Sequence, residues 1–104
     1  TIGLNLLFKQ ESTVSTLDVP FLYQNEPNPF ENYTALRFNL VEDQEAIISI
    51  IDLDGKIINE TKSAYLKGEH TLNLDKNIFP TTGVYYYQLK TASFTNVKKM
   101  MYIN

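Results

Sequence analysis

Along most of the chain, apolar and polar positions alternate with a period of two, the pattern of half-buried β-strands. "IGLNLLF" places Ile2, Leu4, Leu6 and Phe8 on one face, and "KQESTVSTLDVP" then falls to polar, Ser/Thr-rich text ending at Pro20. Residues 1–9 therefore read as the last strand of a preceding domain or an added edge strand, residues 10–20 as a linker, and residues 21–104 as the domain itself. "YQNEPNPF" holds two prolines that remove ladder donors and push Glu26 and Asn28 toward extended or polyproline geometry. It predicts a stiff lead-in, not a central strand, with Phe30 as an apolar plug at the end of the fold.

"TALRFNL" turns Leu36, Phe38 and Leu40 inward and leaves the opposite face wet. "AIISIID" is apolar on both parities and rich in β-branched residues, which predicts a central strand. "LDG" supplies a tight turn at Gly55, and "KIINET" a short return strand. After a second glycine turn at Gly68, "HTLNLD" sends Leu72 and Leu74 inward. "KNIFPTTG" is irregular around Pro80 and Gly83, so it is expected to cross from one sheet to the other. "VYYYQLKT" places Tyr85, Tyr87 and Leu89 on one face.

"TNVKKMMYI" lacks a clean parity, because Val97, Met101 and Ile103 share a face with Lys99 while Met100 and Tyr102 share the other with Lys98. A bulge or burial on both sides is expected there. No long stretch holds an apolar period of 3.6, and turn signals recur roughly every 8 to 15 residues. The predicted fold class is all-β, a seven-stranded antiparallel immunoglobulin-like β-sandwich.

Composition narrows the chemistry. A chain of 104 residues fits one domain, and 43% hydrophobic content provides a core. With no cysteine, disulfides, thiolate metal sites and thiol nucleophiles are excluded. No apolar run reaches the roughly 18 residues of a membrane-spanning helix, and the first residues lack the Met and basic head of a signal peptide, so the chain is expected to begin within a longer protein. The nine basic residues divide six to three about residue 90, and all twelve acids precede it, which leaves residues 1–89 at −6 and residues 90–104 at +3. An acidic domain with one short basic end offers no broad face for nucleic acid.

Candidate sites are sparse. "DLDG" matches half of a calcium loop, but with Gly55 as the turn glycine the outer ligand positions fall on Ile50 and Thr61, neither of them a carboxylate. His70 is the only histidine and shares the parity of Leu72 and Leu74, which points to a partly buried strand residue. Asn32 and Asn59 stand in Asn-x-Thr sequons. Tyr86 and other exposed aromatics leave open a carbohydrate-binding or adhesion module, and a purely structural spacer is a third possibility. No catalytic, cofactor-binding or metal-binding residue is assigned, and the expectation is a non-enzyme without a cofactor.

The order "YQNEPNPF", "TALRFNL", "IISIIDLDGKII", "KGEHTLNLD", "FPTTGVYYYQLKT" and terminal "FTNVKKMMYIN" resembles the type A C-terminal sorting domain of proteins exported by the type IX secretion system of Bacteroidetes. The resemblance covers residues 21–104. Its motif positions fall on Pro27, Asn28, Pro29 and Phe30, on Asp52, Gly55 and Lys56, on Pro80, Gly83 and Tyr85, and on Lys98, Lys99 and Met100 of the last strand. It implies a secretion signal that passes through the periplasm, is recognised by the outer-membrane translocon and its shuttle protein, and reaches the cell surface or the medium. In many members a sortase-like peptidase removes the domain and joins the cargo to lipopolysaccharide; here the accessible segment for cleavage is Glu11 to Val19. A monomer is expected. The terminus "MMYIN" departs from relatives that end on aliphatics and a basic residue. Lys98, Lys99, Met100, Met101, Tyr102, Ile103 and Asn104 are the expected translocon-contact segment, on a terminal strand with unpaired edge groups.

Overall fold

The computed structural model describes residues 19–104. The expected strand at residues 1–9 and nearly all of the expected linker lie outside the described residues. Within them the chain forms β1 (Phe21–Leu22), β2 (Tyr33–Leu40), β3 (Gln44–Ile51), β4 (Ile57–Tyr65), β5 (Gly68–Asp75), β6 (Gly83–Lys90) and β7 (Thr95–Tyr102), with a 3-10 turn at Lys76–Ile78. A three-stranded sheet in the order β1-β2-β5 packs on a four-stranded sheet in the order β4-β3-β6-β7, and every pairing is antiparallel. The chain is the expected sandwich.

The alternation sorts side chains as the pattern demands. Leu36, Phe38 and Leu40 from β2 meet Ala46, Ile48 and Ile50 from β3, Tyr85, Tyr87 and Leu89 from β6, and Met100 from β7 in one core. Full burial of each large member contributes about 1.5 to 3 kcal/mol. β3 lies between β4 and β6, which explains its second apolar parity: Ile47 and Ile51 are half-buried on the outer face. "KNIFPTTG" crosses between the sheets as expected. The Asp75 carboxylate accepts from the Asn77 amide at 2.8 Å to start the 3-10 turn, and the Tyr85 hydroxyl donates to the Thr81 carbonyl at 2.6 Å to close the loop. His70 is half-buried, with its ring 5.6 Å from Phe38 and 4.9 Å from Tyr65.

Two expectations need correction. The return strand after Gly55 is not short: β4 runs to Tyr65, since β3 offers partners as far as Gln44. Its polar composition reflects an edge strand with a wet face, not a strand end. β7 is neither bulged nor buried on both sides. It pairs with β6 without interruption from Thr95 to Tyr102, even-numbered side chains inward and odd-numbered ones outward. Its mixed pattern comes from Lys98, which keeps inward parity on a rim strand where a long stem can carry the ammonium into water. The register irregularity lies instead between Ile50 and Ile51, opposite β4.

Candidate functional site

"YQNEPNPF" and "KKMMYIN", 75 residues apart between Gln24 and Lys99, are built into one structure. The terminal strand forms the rim of the four-stranded sheet, and the lead-in segment lies along its outer edge. The Phe30 amide donates to the Met101 carbonyl at 3.0 Å, and the Ile103 amide donates to the Phe30 carbonyl at 2.8 Å. The Asn28 side-chain carbonyl accepts from the Met101 amide at 3.0 Å. The Gln24 side-chain amide donates to the Lys99 carbonyl at 2.7 Å. Unpaired edge groups were expected along this strand, but from the Lys99 carbonyl to the Ile103 amide they are taken. The prolines lack N–H groups, so the pairing falls to the backbone of Phe30 and the side chains of Gln24 and Asn28.

A buried polar knot holds the lead-in in place. Asn25 and Thr34 are both buried. The Asn25 side-chain amide donates to the Pro27 carbonyl at 3.1 Å and to Thr34 Oγ1 at 2.9 Å, and Thr34 Oγ1 donates to the same carbonyl at 2.8 Å. The Tyr87 hydroxyl, on the opposite sheet, accepts from the Asn25 amide at 2.8 Å and donates to the Tyr23 carbonyl at 2.8 Å. Burial pushes that hydroxyl up to about 12, with the Asn25 amide opposing the shift. Tyr23 itself lies against Arg37, whose guanidinium is 4.2 Å from the ring centroid, and donates to Glu69 at 2.9 Å. The Glu69 hydrogen bond is the main reason its hydroxyl is raised above the ordinary range.

Phe30 is the plug that its position predicted. It is buried, stacks on Tyr102 at 5.2 Å and meets Phe79 edge-on at 5.0 Å. Phe79 continues to Tyr85 at 4.9 Å. Three of the motif blocks thus converge in one aromatic cluster at one end of the sandwich. Pro80 is exposed beside it, and Gly83 opens β6 with a φ of +142°. The Asp52 to Lys56 turn caps the same end of the sheet by register, Ile51 lying opposite Tyr86. Its carboxylate accepts from the Asp54 and Lys56 amides, both at 2.9 Å, and so completes a hairpin turn. Among the described residues no three His, Asp or Glu side chains gather to hold a metal.

The outward face of the terminal segment is different in character. Val97, Met101 and Ile103 are 47%, 40% and 37% exposed, and Lys99 stands between the first two. Met100 and Tyr102, which belong to the expected contact segment, point inward: Met100 is buried and Tyr102 is held in the aromatic cluster. Among the described residues Lys90, Lys98 and Lys99 make no ion pair, whereas Arg37 and Lys62 do. Of the Tyr85 to Tyr87 triplet only Tyr86 is exposed, beside Lys99 in the register, so the triplet presents one ring and not a platform. Gln24, Asn25, Thr34 and the Tyr87 hydroxyl were not singled out from the sequence. The one signal was Thr34, a polar residue on the inward parity of Leu36 and Phe38.

Comparison with known proteins bears on this geometry. A family model described as the secretion system C-terminal sorting domain matches residues 26–104. Among solved structures, dimeric latent PorU from Porphyromonas gingivalis is similar with a TM-score of 0.60 at 15% identity, over 86% of this chain and 10% of that one. A mutant β-glucosidase from Listeria innocua in complex with laminaribiose is similar with a TM-score of 0.52 at 10% identity, over 83% of this chain and 16% of that one. The chain therefore spans a small fraction of either protein, and the likeness is one of fold. No match is found among curated proteins.

Proposed function

The chain belongs to the secretion system C-terminal sorting domain family, and from that membership we propose that its sandwich presents the outward face of the terminal segment to the type IX machinery of the outer membrane. A domain of this family marks its protein for the type IX route to the cell surface or the medium. In this reading residues 21–104 are the sorting domain and residues 10–20 the connector to a cargo. Within the terminal segment the contact falls on Lys98, Lys99, Met101, Ile103 and Asn104, while Met100 and Tyr102 anchor it from inside. The motif positions Pro27 to Phe30, Asp52 to Lys56, and Pro80, Gly83 and Tyr85 act as frame.

One observation supports this division most strongly: the lead-in closes its hydrogen bonds on β7 and leaves the odd-numbered side chains of β7 exposed beside lysines that have no ion-pair partner among the described residues. The translocon and its shuttle protein are the partners this surface serves. Removal of the domain by a sortase-like peptidase between Glu11 and Val19, with transfer of the cargo to lipopolysaccharide, is the expected fate, and the domain acts as a monomer without catalysis or cofactor.

The test is a reporter fused ahead of the full chain in a type IX-competent host. Deleting residues 98–104 would also remove core side chains, so a surface variant is cleaner. Lys99→Glu with Met101→Asp should keep the melting temperature within a few degrees and abolish surface delivery. Unchanged delivery by the folded variant would reject the proposal.

A further inference from the structure

The outer edge of β7 is only half closed. Because Met101 directs both its backbone groups outward to the lead-in, the alternation of an antiparallel ladder directs those of Val97 and Lys99 outward as well. The lead-in takes the Lys99 carbonyl and everything beyond it to the Ile103 amide, and no described residue pairs with the Val97 amide, the Val97 carbonyl or the Lys99 amide. The open groups thus form a short run that stops where Asn28 and Pro29 cross the strand. At that stop lies a cavity of about 160 Å³ lined by Asn28, Pro29, Val84, Lys99, Met100 and Met101. Its size is close to that of an engineered cavity of about 150 Å³ that admits benzene, so it holds one apolar side chain.

Building on the sorting reading above, we infer that the stretch Thr95 to Lys99 is a strand-addition site for an extended acidic segment of the secretion machinery, with one apolar side chain of that segment seated in the cavity beside Pro29. Charge selects this occupant over a second copy. Lysines on an edge strand oppose pairing of like edges. Lys98 and Lys99, within the +3 end of a chain whose remainder is −6, repel another β7 and attract carboxylates. Main-chain bonds to Val97 and Lys99 supply affinity, and the alternating outward side chains Val97, Lys99 and Met101 supply register. The lead-in ends the site: Gln24 and Asn28 occupy the acceptors and donors that a longer added strand would need.

The inference is tested in the reporter fusion with Val97→Pro, which removes one outward amide and no bond to β6, and with Val97→Thr, which keeps that amide. Val97→Pro should lower surface delivery at least tenfold and Val97→Thr less than twofold, with both melting within a few degrees of the parent chain. Normal delivery of Val97→Pro, alongside failure of the Lys99→Glu, Met101→Asp variant, would overturn strand addition and leave the sorting reading intact; normal delivery of both would overturn both. Should Val97→Pro fail to fold, amide exchange of the purified full chain decides. An octapeptide alternating Glu and Val should slow exchange at Val97 and Lys99 at least fivefold, and its Lys and Val counterpart should not. Equal or absent slowing overturns the inference, as does slowing by protein concentration alone, which would assign the edge to a second copy.

Discussion

Tyr87 joins the two sheets through one hydroxyl, and its removal is the sharpest single-residue test of the frame. Tyr87→Phe keeps the ring but strands the Asn25 amide and the Tyr23 carbonyl, a loss of about 1 to 3 kcal/mol in denaturant unfolding. The same hydroxyl gives a pH signature. Its folded value is raised to about 12 from 10.0, so the unfolded chain releases the proton first. The stabilisation is complete below pH 10 and is lost as pH rises to 12, about 3 kcal/mol in all. An alkaline titration of unfolding free energy should show that slope in the parent chain and a shallower one in Tyr87→Phe, the remainder coming from Tyr23 and Tyr65, whose hydroxyls are also raised. Phe30→Ala should cost about 3 to 5 kcal/mol, because the vacated space lies among Phe79 and Tyr102 and cannot easily collapse.

At the scale of elements, the strands were legible because burial on one face imposes a period of two. The inward sets of β2, β3 and β6 were fixed by Leu36, Phe38, Ile48, Tyr85 and their neighbours. The length of β4 was not legible, since an edge strand has no apolar face to announce where it ends. Nor was the pairing of the lead-in with β7, because side-chain bonds from Gln24 and Asn28 carry no periodicity. Two proline bonds in the lead-in are cis, Glu26–Pro27 and Asn28–Pro29, a geometry that alternation does not encode. The clasp is measurable: Asn28→Ala removes the acceptor of the Met101 amide and should speed its hydrogen exchange about tenfold while leaving Lys98, within the β6 ladder, little changed. At the β3–β4 turn, Gly55 has a φ of +87° with open space where a Cβ would stand. Gly55→Ala should therefore cost about 1 kcal/mol from backbone strain alone in thermal unfolding.

For the whole molecule, the motif order carried the family, while the division of labour within the motifs required the fold. Spacing alone could not separate Met100 and Tyr102, which hold the terminal segment from within, from Lys99, Met101 and Ile103, which it displays. The acidic body and the basic end divide along the same line, with +3 on the last fifteen residues. On the proposed reading stability and recognition are separate: changes in the lead-in knot should lower the melting temperature, and changes on the outward face of β7 should leave it alone. The most direct measurement is surface delivery of a reporter fused to the full chain, with Lys99→Glu and Met101→Asp introduced together and the melting temperature of the same protein recorded. Loss of delivery at unchanged melting temperature is expected. Full delivery by that folded variant would show that the terminal face is not what the machinery recognises.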